Sequence, residues 1–141
     1  MAELPLPVPD EATAPFWESC RDGELRIQRC TGCDRFRHPP QPMCGQCGSS
    51  DYAWTAVSGR GTVFSYIVTH QPIHPALADL VPHLVVLVEL EEGVRLTSNV
   101  VDCPPDEIAI GMPVSGPASA AAMRASAASA WASASSSMRV M

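Results

Sequence analysis

Large apolar residues recur at every second position in several stretches of the chain, and at helical spacing in one short stretch. In "ELRIQRC" Leu25 and Ile27 alternate with polar neighbours, which predicts a strand leading into Cys30. "DYAWTAVSGRGTVFSYIVTHQ" predicts two strands, 52–57 and 61–69, joined by the Gly-bearing turn "SGRG". "HLVVLVELEEGVRLTSNVV" predicts a hairpin, His83–Leu90 and Val94–Val101 around a Glu-Glu-Gly turn. "DCPPDEIAIGMPV" ends on the start of a further strand, and "PIHPALADLVP", with three prolines, is expected to be a loop. The helical piece is Pro15–Asp22, with Pro15 near its start and Gly23 just past its end. Asp10 offers an N-cap to any earlier turn. Phe16, Trp17 and Cys20 share one face of this helix, a docking face for the rest of the chain or a partner or ligand surface. Short strands at this spacing, without helices between them, predict a mainly β fold of the small-barrel or sandwich kind.

Both ends depart from that pattern. Residues 1–9 are Pro-rich and expected to be extended. From Ser115 to Met141 ten Ala and eight Ser stand among 27 residues, with no alternation of large side chains. This tail is expected to be a weak Ala-rich helix or disordered. The expected division is an extended segment and helix (1–23), a Cys-rich unit (24–51), a barrel (52–114) and the tail (115–141).

Composition narrows the function. The net charge is −6, and all nine basic residues are Arg. Such a chain is a poor candidate for general nucleic-acid or anionic-membrane binding. Residues 52–114 hold only Arg60 and Arg95 against seven acids. Aromatic residues on the barrel strands (Trp54, Phe64 and Tyr66) are therefore expected mainly in the core rather than stacked on bases. Arg21, Arg26, Arg29, Arg35 and Arg37 make 21–40 locally basic, a solvated face or one that meets a phosphate-bearing ligand or acidic partner. No apolar run reaches the roughly 18 residues of a membrane span, and the start lacks the features of a secretory signal. A cytoplasmic location follows as the expectation, where thiols stay reduced.

Cys30, Cys33, Cys44 and Cys47 have the spacing C-x2-C-x10-C-x2-C. Two such pairs converge four thiolates at the roughly 2.3 Å Zn–S distance of tetrahedral zinc. A rubredoxin-type iron centre and a redox-active pair are the alternatives, and the paired spacing argues against the second. Four thiolates leave no open position, so the metal is expected to be structural. Gly32, Gly45 and Gly48 are expected to supply unusual dihedrals to the knuckles. His38, between them, is expected on the surface. Cys20 and Cys103 are expected to be ordinary small residues. No nucleophile elbow, H-E-x-x-H or phosphate loop appears. His70 and His74 flank "QPI" as candidate ligands or solvated loop residues, and Glu89, Glu91 and Glu92 crowd a hairpin tip expected to be solvated. Nothing indicates a self-sufficient active site.

From Phe16 to Val114, about seven-tenths of the chain, the sequence resembles the zinc-ribbon/OB-fold proteins once known as a numbered domain of unknown function, also called acyl-CoA-associated OB-fold proteins. The helix "FWESCRDGEL" feeding "IQRC", the two knuckles, "SGRGTVFSY", "LVELEEGVRLTSNVV" and "IGMPV" carry the resemblance. It implies an N-terminal helix, a rubredoxin-like zinc ribbon and a five-stranded OB barrel, with Cys30, Cys33, Cys44 and Cys47 as ligands of a structural Zn²⁺. It further implies a non-catalytic subunit bound to a thiolase-superfamily enzyme, an acetyltransferase, a thiolase or a steroid side-chain aldolase. There it would scaffold the complex and help position acyl-CoA at the shared interface. Phe16, Trp17, Arg35, Arg37, Phe64, His70 and His74 are the candidate contacts with partner or ligand. A nucleic-acid-binding ribbon/OB module is the alternative. The family continues after "GMPV" with a β-branched, aromatic strand that closes the barrel; the Ala/Ser tail lacks one, so an open barrel edge is expected. A shifted reading frame would account for the change, and resequencing with intact mass tests it.

Overall fold

In the computed structural model the described residues are 8–101, 103–116 and 138–140, with Val101 and 138–140 described by their backbone alone. The expectations for residues 1–7, 117–137 and 141 lie outside them.

Helix α1 (Ala14–Arg21) begins where Pro15 presets the backbone and stops at Asp22, ahead of Gly23 at φ +77°. The next residues form β1 (Arg26–Cys30), β2 (Phe36–Arg37) and β3 (Tyr52–Ala56), one antiparallel sheet in the order β2-β1-β3. The barrel strands are β4 (Arg60–Thr69), β5 (His83–Leu90), β6 (Arg95–Val101), β7 (Pro113–Ser115) and β8 (Met138–Val140), closed in the order β4-β5-β6-β8-β7. The architecture is mainly β: an N-terminal helix, a zinc-ribbon sheet and an OB-fold barrel. No helix among the described residues is long and apolar enough to cross a membrane.

β5 shows the alternation most directly: Leu84, Val86, Val88 and Leu90 are buried and the residues between them half-buried. Its partner β6 lies in register from Leu84↔Val100 to Glu89↔Arg95. Phe16, Leu25 and Ile27 join Val63, Leu84, Val86, Val88, Ile108 and Val114 in one continuous core, so helix, ribbon and barrel share their interior.

Four expectations are corrected here. Tyr52–Ala56 does not open the barrel in a hairpin with β4; it pairs with β1 from Arg26↔Ala56 to Cys30↔Tyr52. Long-range pairing with a strand more than 20 residues earlier wins over the local turn signal, and "SGRG" carries the chain from one sheet to the other. The Pro-rich loop contains a 3-10 helix, Pro75–Leu80, capped by the His74 imidazole. The barrel edge is not left open. β8 pairs antiparallel with β6 (Val100↔Val140) and parallel with β7 (Val114↔Met138). Phe64 and Tyr66 are not core residues, at 42% and 36% exposed. A bulge between Val63 and Ser65 breaks the alternation, so both faces of β4 beyond it meet solvent.

Candidate functional site

The two Cys-x-x-Cys segments fold alike, and this brings the thiols together. In the first, Cys30 N–H donates to Arg35 O (2.9 Å) and Asp34 N–H to Cys30 O (2.9 Å). In the second, Cys44 N–H donates to Ser49 O (2.8 Å) and Gly48 N–H to Cys44 O (2.9 Å). One residue past each pair the backbone is left-handed, at Asp34 (φ 60°) and Gly48 (φ 75°). The dihedral role expected of Gly32 and Gly45 is thus corrected, because neither has positive φ. At Gly32 space decides instead: a Cβ would come to 3.3 Å from Ser49 Cβ and 3.5 Å from Cys47 Sγ.

The sulfurs of Cys30, Cys33, Cys44 and Cys47 lie within 4.8 Å of one another, with Cys30–Cys47 at 3.5 Å and Cys33–Cys44 at 3.6 Å. A tetrahedral ion with bonds of about 2.3 Å requires S···S edges of about 3.8 Å, so the donor set fits zinc with little movement. Cys30 and Cys44 are buried, whereas Cys33 and Cys47 face outward. The backbone N–H groups of Cys47 and Gln46 pull the Cys44 thiol down to about 6. The Arg35 N–H acts in the same direction on Cys33, but desolvation and the neighbouring thiols hold it up at about 12. A bound dication would draw the protons from the remaining thiols. With four thiolates the centre is closed, a structural zinc site of the rubredoxin-like type.

The other candidates divide into four groups. Phe16 and Trp17 meet at 5.1 Å in a T-shaped contact, and Phe16 also packs on His38 at 5.0 Å. His38 is therefore not the surface residue expected, and burial lowers its pKa below 6.5. Arg35 and Arg37 stay in the ribbon. Arg35 Nη1 donates to Gln46 Oε1 (2.8 Å), bracing one knuckle on the other, and Arg37 Nε donates to Gln28 Oε1 (2.7 Å) while its guanidinium lies over Tyr52. Phe64 is covered on one side by the Arg95 guanidinium, 3.5 Å from its ring centre. His70 and His74 are exposed beyond the end of β4, and neither joins the thiol cluster.

The hairpin acids are not simply solvated. Glu89 binds Arg95 (2.9 Å), Glu91 binds Arg60 (2.8 Å), and Glu92 Oε1 accepts the Ser58 N–H (2.6 Å). Sequence reasoning missed an open-sided cavity of about 480 Å³ bordered by α1, the 38–40 turn and the β5–β6 sheet. Only the shared face of Phe16, Trp17 and Cys20 hinted at it, since the other walls come from distant segments.

Residues 17–53 match the family model described as ChsH2, rubredoxin-like zinc ribbon domain, and 54–116 that described as ChsH2, C-terminal OB-fold domain. A probable enoyl-CoA hydratase alpha subunit of Thermomonospora curvata is 47% identical over 110 residues, 78% of this chain and 34% of that protein. The chain thus spans about a third of that subunit's length. A DUF35 domain-containing scaffold protein of Methanocaldococcus jannaschii is 34% identical over 110 residues, 74% of this chain and 75% of that one. Among solved structures, a chain of the Ltp2-ChsH2(DUF35) aldolase superposes with a TM-score of 0.71 at 46% identity, covering 78% of this chain and 85% of that chain.

Proposed function

Since this chain belongs to the DUF35 family of zinc-ribbon/OB-fold scaffold proteins, we propose that it is a non-catalytic subunit of a thiolase-like enzyme, holding the complex together and helping to position its acyl-CoA substrate. The observation that carries this reading is the likeness of its ribbon and barrel together, in sequence and in shape, to a chain of a solved aldolase assembly. The name of the Thermomonospora relative supports acyl-CoA as the substrate class.

The chain's own chemistry agrees. Its thiolates fit a closed metal site, which offers no position to a substrate. His74 has its Nδ1 engaged by the Ala76 N–H. The ribbon serves as a rigid mount between α1 and the barrel. Phe64, Tyr66 and Ile67 are exposed large apolar residues in the middle of β4, suited to contact with a protein surface. Co-expression with a thiolase-like enzyme of the same organism tests the proposal. Co-elution and a rise in that enzyme's activity are expected; a fully active enzyme that never co-elutes with this chain would refute it.

Exposed Phe64 and Tyr66 are also what a single-strand-binding barrel presents. However, Arg60 and Arg95 are both paired with hairpin carboxylates, and Arg95 already covers one face of Phe64, which speaks against a cationic track for a bound strand. Salt-dependent binding of single-stranded oligonucleotides would favour the nucleic-acid reading.

A further inference from the structure

The cavity beside α1 has a composition that the scaffold role alone does not require. Its volume, about 480 Å³, falls within the roughly 300–1,000 Å³ usual for small-molecule sites. Phe16 and Trp17 supply an aromatic wall, Leu25 and Leu96 aliphatic ones, and Thr13, His38, Thr97 and Ser98 the uncharged polar groups. Among the described residues no Asp, Glu, Lys or Arg lines it. His38, the titratable ring among the described lining residues, is held toward the neutral form by burial. Such walls cannot compensate a phosphate for lost water, because that needs a charged or strongly donating partner. They do favour an apolar carbon skeleton, whose burial is favourable in proportion to its area.

Coenzyme A thioesters combine both chemistries: a phosphorylated nucleotide at one end and an apolar acyl group at the other. We propose that the cavity between α1, the 38–40 turn and the β5–β6 sheet receives the acyl group of the thioester and excludes its nucleotide. The proposal rests on the reading of the chain as an acyl-CoA-linked subunit and adds to it which part of the substrate this chain contacts. The nucleotide then lies outside the cavity, where the partner enzyme or the arginine-bearing ribbon is free to meet it.

The test is a calorimetric titration of the zinc-loaded full chain with dodecanoyl-CoA, dodecanoate and CoA. Dodecanoyl-CoA and dodecanoate are expected to bind, and CoA is not. Leu96→Trp from β6 and Cys20→Phe from α1 each reduce the space and are expected to weaken dodecanoate binding by about tenfold or more. Zinc content and circular dichroism verify their fold. Brominated dodecanoate gives a reading on the unaltered protein: it should quench tryptophan emission, and Trp17→Phe should remove most of that quenching. Failure of both acyl probes to bind, equal binding of CoA, folded variants that bind as tightly as the parent, or quenching that persists without Trp17 would each overturn the proposal. A cavity filled only by a side chain of the partner enzyme would give the first of these results. Co-elution with the thiolase-like enzyme is read separately. If it persists while acyl binding fails, the cavity assignment falls and the scaffold reading stands; the reverse result condemns the scaffold reading alone.

Discussion

Asp34 and Gly48 stand at equivalent places, one residue past each Cys-x-x-Cys, and both adopt the left-handed backbone that turns the chain away from the metal site. The cysteines themselves were legible because ligand spacing is a local property. The residues that shape the knuckles were less so, since positive φ is uncommon outside Gly even though Asp tolerates it better than most, and Gly32 is needed for space rather than for its dihedral. Cys44 is the most demanding ligand: it is buried, and two backbone N–H groups already favour its thiolate. Cys44→Ser should reduce bound zinc from about one equivalent to near zero and abolish folding and complex formation together. Metal analysis with circular dichroism checks this, and a folded, partner-binding variant without zinc would show the site to be misassigned. His38 makes a pH prediction. Its pKa is depressed in the fold, so the unfolded chain takes up the proton first. Its contribution to stability is full above the ordinary value of 6.5 and is lost as pH falls through that value toward the lower folded one. Denaturant midpoints of zinc-loaded protein between about pH 7.5 and 6 should fall more steeply for the parent than for His38→Gln. Equal slopes would rule His38 out as the cause. Its burial could not be foreseen from a polar, Pro-rich finger, because Phe16, more than 20 residues earlier, provides the cover.

Among the elements, β5 and β6 were legible almost to the residue, because a strict two-residue alternation around a Gly turn specifies both strands and their pairing. β3 was found but given the wrong partner: alternation identifies a strand without saying which sheet receives it. β8 was missed for a related reason, as three residues after an Ala/Ser stretch offer no pattern and form a strand only by fitting between β6 and β7. The exposure of Phe64 follows from the bulge beside it, a feature with no residue signature here. β4 also depends on a close approach that only its second residue permits. A Cβ on Gly61 would run into the Glu89 carbonyl oxygen and come to 2.8 Å from Val88 Cγ1. Those neighbours are backbone and a packed side chain, so neither can move aside cheaply. Gly61→Ala is accordingly expected to destabilise the barrel by about 1–3 kcal/mol. Thermal melts of zinc-loaded protein measure this, and an unchanged midpoint would mean that β4 and β5 lie farther apart than the structure places them.

At the scale of the whole molecule, the ribbon is more than a metal-bearing appendage, and the reason lies in one interior. Ile27 of β1, fully buried, belongs to the same core as Val86 and Val88 of β5 and Val114 of β7. The Val57 N–H donates to Leu25 O (3.0 Å) at the point where the chain passes from ribbon to barrel. Zinc holds the ends of β1 and β3 through the knuckles, β1 carries Ile27 into the core, and α1 lies over the junction. Removing the metal should therefore release more than the roughly 18 residues around it. Those residues fold through metal binding, and losing that binding energy strips the barrel of one wall. A strong chelator is expected to produce a single cooperative transition in which the ribbon and the β4–β6 amides lose protection from hydrogen exchange together. Two separate transitions, with the barrel amides still protected after the zinc has left, would show that the modules fold independently. A partner enzyme would then need to recognise only one of them. A single transition means instead that the partner meets one rigid body, in which the zinc site fixes the cavity beside α1 and the exposed apolar residues of β4 in a constant relation.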